Sequence, residues 1–436
     1  MKAPPRDRAG VWSPFVRAAL TLALVGGFGL GSGLFVAAAL HLPLGLWWTA
    51  AAQAHGQVQL LGWAGLTVLG VALHFLPRLR GGAPPRAVSA RVALALLAGS
   101  LGLRLACQPL LAAMAAGWPQ RFVRVGLACA GLAWIAGAML ALYELARALA
   151  SGPPLRQREG FRQVAPFLVV AFGSFLSASA LTGVGLVVAS WRGVALLDAR
   201  LDRAIIFLAT YGFLWPICVA MSARLFPLHL RTAMPRHGLL RASLACALGG
   251  MALRFTTSAA LDGAGQLLLA ASIALAILGL GIFAPRRAMP RAMPRLHTEP
   301  VQLAGISAYG WLAVTGVILA LNGLAMLGLS LPTPAGEIHA FGAGYVTILI
   351  LGVGAALLPG FAARPLRSNR LTMLTLFAAN LAALARLAPL WLGALPPDLA
   401  SAMLALGGFS GVIALLLFAA NLAGPRGQRV RPLSAR

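Results

Sequence analysis

The residues best placed to do chemistry are two histidines. His55 and His339 each fall near the start of a long apolar run, twenty-two residues before Pro77 and twenty before Pro359. An ionisable side chain inside a membrane span is costly and tends to be kept for function. Neutral imidazole is also a favoured nitrogen ligand for iron and copper. Taken singly, either histidine reads as a polar packing residue. As a pair at one depth on two spans, they read as metal ligands.

Three arginines form the second group. Arg104, Arg254 and Arg386 each lie twenty-seven residues after a proline, Pro77, Pro227 and Pro359 respectively. All three are inside apolar runs, so each is expected to face the interior and to find a partner. Glu144 and Glu337 are the acids expected within spans, too few for three arginines. An exogenous anion or haem propionates would supply the missing charge, and helix-end carbonyls with water are the alternative. His74, three residues before Pro77, reads as an interfacial side chain, or as part of a second metal or haem site. Cys218 and Met221 read as core packing, or as soft donors to copper(I). The four cysteines, Cys107, Cys129, Cys218 and Cys246, are dispersed in apolar runs and read as small core residues, not as disulfides. His229, His237 and His297 fall in basic loops, and His41 at the end of the first span.

The elements that must position these groups follow from composition. Of 436 residues, 60% are hydrophobic and 10% charged, against roughly 25% charged in soluble domains. The net charge of +26 is scattered through short loops and not gathered on one face, which argues against nucleic acid and for the positive-inside pattern of membrane proteins. Runs of about twenty apolar residues place spans at 15–40, 53–77, 92–115, 123–148, 164–190, 203–227, 239–259, 264–284, 302–328, 337–361, 370–392 and 400–423. Since backbone polar groups in lipid must be satisfied within the segment, these are helices. The first run is too long for the core of a cleaved signal and reads as the first span. Arginines crowd alternate loops, including Arg78–Arg86, Arg156–Arg162 and Arg426–Arg436. The other loops are poor in them: one is Trp-rich around Trp47–Trp48, and others hold Asp198, Asp202, Asp262 and Asp398. That alternation puts both termini in the cytoplasm. The segment 285–301, with Ala-Met-Pro-Arg twice over, reads as a basic linker.

A repeat is also written into the chain. Gly62, Gly212 and Gly344 each precede the three prolines by fifteen residues, and the offsets between units are 150 and 132 residues at glycine, proline and arginine alike. The expected fold is therefore an all-α polytopic membrane protein of about twelve helices. It would form one membrane domain, 1–436, built of three four-helix units near 14–150, 160–285 and 300–424 around a pseudo-threefold axis along the membrane normal.

Twelve helices in three units, with histidines on the second and tenth, resemble subunit I of the haem–copper oxidase superfamily. The stretch from His55 to Pro77 is similar to the second helix of its nitric-oxide-reductase and cbb3-type branch. The stretch 335–361 is similar to NnrS-type proteins, which are associated with haem, copper and nitric-oxide tolerance. The resemblance implies that His55 and His339 are the axial ligands of a low-spin b-type haem. It also implies that Arg386, with Arg104, neutralises propionates, that Gln57 and Glu337 tune the ligands, and that the chain lies in a bacterial inner membrane beside a respiratory or denitrification redox partner.

The departures are informative. The sixth span holds Tyr211, Trp215, Cys218 and Met221 but no histidine, the seventh has none, and Glu337 stands where a further histidine of the tenth would. A complete copper–haem centre is not expected, nor are oxidase or nitric-oxide-reductase activity. The leading expectation is a haem protein of electron transfer or nitrosative-stress response. Its rivals are a small-anion transporter that uses the three arginines, and a cofactorless assembly scaffold for a respiratory enzyme.

Overall fold

A computed structural model describes residues 10–115, 117–256, 258–284, 300–392 and 395–424. The paired Ala-Met-Pro-Arg motifs, His297 and the arginines beyond 424 lie outside them. Among the described residues the chain is helical, without strands. Twelve helices follow one another: α1 Trp12–Ala39, α2 Leu46–Arg80, α3 Ala87–Ala113, α4 Trp118–Ala150, α5 Glu159–Arg192, α6 Ala199–Leu228, α7 His237–Arg254, α8 Ala259–Leu280, α9 Pro300–Met326, α10 Glu337–Ala362, α11 Asn369–Trp391 and α12 Pro397–Leu422. Eleven of them are long and apolar enough to cross a membrane. The twelfth, α7, has 18 residues, roughly 27 Å of helix, and carries Arg241 and Arg254.

The bundle has an inner trio and an outer ring. Helices α2, α6 and α10 are the most enclosed, with 78%, 78% and 61% of their apolar cores buried, against 33–50% for the other spans. Around them, α3 packs on α4, α7 on α8 and α11 on α12. The hairpins are linked by α4 on α5, α8 on α9 and α12 back onto α1. Small residues permit these approaches: the α-carbons of Gly131 and Gly183 each face the other's carbonyl, and Gly250 and Gly265 do the same.

Each inner helix carries a π-helical stretch, Val58–Gly65, Leu208–Leu214 and Ala340–Val346. These hold Gly62, Gly212 and Gly344, and the three stretches touch pairwise at the centre. Helix α1 has a fourth, Ala23–Gly29, and leaves helical geometry at Gly27.

Several helix ends differ from the sequence expectation. Trp47 and Trp48 open α2 and are not a loop, because the Trp48 indole donates to the Leu34 carbonyl (3.0 Å) and pins that turn to α1. Asp202 and Asp262 are not loop acids either: they sit in the first turns of α6 and α8, helix starts capped by Asp198 and Ser258. Helix α7 begins on His237, so a histidine does stand on it, at the end opposite Arg254.

Candidate functional site

Helices α1, α2, α6, α10, α11 and α12 line one chamber of about 340 Å³. His55 comes from α2, His339 from α10 and Arg386 from α11, and all three line it. Trp63 and Thr347 close one end and hydrogen-bond to each other (3.1 Å).

The His55 ring is oriented by the kink of α1. Its Nδ1 donates to the Gly27 carbonyl at 2.9 Å. A carbonyl only accepts, so Nδ1 carries the proton and Nε2 keeps its lone pair, the arrangement usual for a metal-binding histidine. Gly31 leaves room for the ring: a Cβ there would stand 2.8 Å from Cε1 of His55. Gly56 and Gly342 also line the chamber, and a Cβ on either would meet nothing within 4 Å, so the space above their backbone is open. Gly336, at φ +97°, starts α10 in the left-handed conformation that a glycine takes most cheaply, and so sets the approach of Glu337 and His339.

Arg386 has no carboxylate or hydrogen-bond partner among the described residues. Its guanidinium lies over the Phe35 ring, 4.1 Å from the centroid. It is close enough to both imidazoles to act on them electrostatically.

The other two arginines do not join this chamber. Arg254 donates from Nε to Asp262 (3.1 Å) and from Nη1 to Glu337 (3.0 Å), and it stacks over Phe207 (4.1 Å). Tyr211 donates to the same Glu337 oxygen at 2.6 Å. Arg104 donates from Nε to Gln108 (2.7 Å) and from Nη1 to Gln57. It lines a second chamber of about 310 Å³, whose lining shares only Ala52, Gly56, Leu60 and Ile206 with the first. Arg104 and Gln57 therefore engage each other, and Glu337 engages Arg254. The expectation that Glu144 and Glu337 are the acids within the spans is corrected by Asp202 and Asp262, which sit in the first turns of α6 and α8, but of the three arginines only Arg254 is ion-paired among the described residues. Glu144 serves elsewhere, accepting from the Arg86 backbone (3.0 Å) and Arg147 (2.9 Å).

His74 lies at the far end of α2 from His55, packed against Phe361 (centroids 4.4 Å) and Trp12 (6.4 Å). Cys218 and Met221 line a small cavity of about 110 Å³ walled mostly by aliphatic and aromatic carbon. All four cysteines are free. Among the described residues no three histidine, cysteine or carboxylate side chains gather where they could hold a metal ion; His55 and His339 are the two imidazoles that line the first chamber.

The chain matches no protein-family model and no curated protein. Solved structures do match. A haem–copper terminal oxidase, determined as a dimer by cryo-electron microscopy, superposes with a TM-score of 0.64 at 12% identity, over 98% of this chain and 86% of that one. The fold is haem–copper-oxidase-like. Within that fold, the chamber and its two histidines are described by this chain's own residues.

Sequence reasoning missed the Gly27 carbonyl, Asp262, Asp202 and the Tyr211–Glu337 bond. Asp262 lay in plain view eight residues after Arg254. The Gly27 contact spans 28 residues and had no signal beyond a glycine pair in an apolar run.

Proposed function

We propose that this protein binds a b-type haem and passes or senses single electrons, with His55 and His339 as the residues that would hold it. The observation that carries the reading is the shared chamber: two histidines from α2 and α10 and an arginine without a carboxylate open onto one space inside the membrane. The residues fit the group. His55 presents Nε2 because Gly27 holds Nδ1. Gly56 and Gly342 leave open space for a flat macrocycle. Arg386 would meet its propionates.

When bound, haem would supply one-electron exchange, and holding it by two imidazoles would suit transfer more than substrate activation. The chain's residues do the rest. Gly27 fixes the tautomer and aim of His55. Arg386 would add positive charge to the chamber that holds the group. Trp63, Phe28 and Phe35 keep the walls apolar.

An NnrS-like role in nitric-oxide tolerance and a respiratory or denitrification redox partner belong to the same proposal, supported by the resemblance. We place the chain in the bacterial inner membrane with both termini cytoplasmic, supported by its arginine distribution. The common register of the π stretches in α2, α6 and α10 supports a threefold repeat over 14–150, 160–285 and 300–424. Copper at Cys218 and Met221 is left out of the proposal, because their cavity offers no further donor of the metal-binding kind. Arg254, already met by Asp262 and Glu337, counts against a transporter that uses all three arginines as one anion site.

The test is an optical spectrum of the purified protein in detergent, oxidised and then dithionite-reduced. Sharp reduced α and β bands, lost in both His55→Ala and His339→Ala, are expected. A folded protein that stays colourless when expressed with ample haem would sink the reading.

A further inference from the structure

Arg104 is 1% exposed, and it is not satisfied. Its Nε and Nη1 are used, but Nη2 is buried without a partner. Leaving a charged donor unmet in the interior is expensive. Arg104 is one of the residues lining the chamber of about 310 Å³ between α2, α3 and α6, and a water takes about 30 Å³ of liquid volume. The space is ample for a small solute.

The same chamber holds a negative charge. Asp202 of α6 lines it and acts on Arg104 electrostatically, yet the two are not within ion-pair distance. Thr49, Gln53 and Gln57 supply neutral polar wall, and Leu61 and Ile205 close the rest. A simple anion would meet Arg104 but also the repulsion of Asp202, and a simple cation faces the reverse. A molecule carrying both charges satisfies both groups, and the wrong partners are rejected by the same pair.

We propose that this chamber binds a small amino-acid-like zwitterion, with its carboxylate toward Arg104 and its ammonium toward Asp202. The site does not depend on the haem reading. Its ligand is read by stability, whether or not the neighbouring chamber is coloured.

The experiment is thermal unfolding of the full-length protein in detergent, followed by tryptophan fluorescence. The probes are glycine, β-alanine and γ-aminobutyrate, compared with acetate and methylammonium at equal millimolar concentrations. A ligand that binds only the folded state raises the midpoint. At least one zwitterion is expected to bind about tenfold tighter than acetate or methylammonium. Asp202→Asn, at a half-buried position, is expected to erase that preference and to leave acetate the equal of the zwitterion or better. The proposal fails if acetate matches the zwitterions in the unmodified protein, if no zwitterion shifts the midpoint, or if a folded Asp202→Asn protein keeps the preference. The first two outcomes need no variant.

Discussion

Arg386 sets its charge beside two imidazoles without a carboxylate to cancel it. A fixed positive charge disfavours the ferric state, so, on the proposed haem reading, Arg386→Gln should lower the midpoint potential by on the order of 60 mV, a tenfold change in a one-electron equilibrium. Potentiometric titration of the two proteins would show it, and an unchanged potential would remove Arg386 from the haem site. The histidines and Arg386 were legible in the sequence because a polar residue in an apolar run is conspicuous. Gln57 and Glu337 were legible as polar neighbours of the histidines, but their partners were not. Which arginine each one meets depends on how α3 and α7 pack, and sequence distance does not carry that.

At the scale of the helix, the fit of α1 against α2 depends on glycine. Gly31→Val would drive a side chain into the His55 ring while leaving an apolar surface otherwise suited to a span. Haem content per folded protein, read from the reduced spectrum, should fall severalfold with little change in yield. A retained full complement would mean that His55 is not held where α1 crosses it. The start of α10 depends on charge. Glu337 accepts from both Arg254 and Tyr211, so Glu337→Gln should cost about 1–3 kcal/mol, and a double-mutant cycle with Arg254→Met should return a coupling energy well above zero. Helix number and approximate ends followed from apolar run length. The first turns of α2, α6 and α8 did not, because Trp, Asp and Arg at a helix start look like loop until their caps and tertiary partners are known. The π stretches had no signature beyond their glycines.

At the scale of the whole molecule, a crossing by α7 together with the eleven apolar helices would return the chain to the side on which it began. Reporter fusions after residue 424 and within the 81–86 and 152–158 loops should report the cytoplasm, and fusions at 193–198 and 329–335 the opposite face. A reversed pattern would overturn the charge-based orientation. Class and approximate helix number were readable from composition because a bilayer imposes a length and an apolar content on every span. The chambers were not readable, since each is made of residues from three or more helices.

Helix α12 packs on α1 just as α4 packs on α5 and α8 on α9. A closed circle of neighbours has no privileged beginning, so the order in which the translocon delivers the helices is not written into the contacts that hold them. A permuted gene, with residue 424 joined to residue 10 by a flexible tether and the chain reopened at 152–158, should insert and assemble into the same bundle. Recovery of the parental spectrum from such a rearranged protein would mean that the ring, and not the path taken around it, defines this molecule.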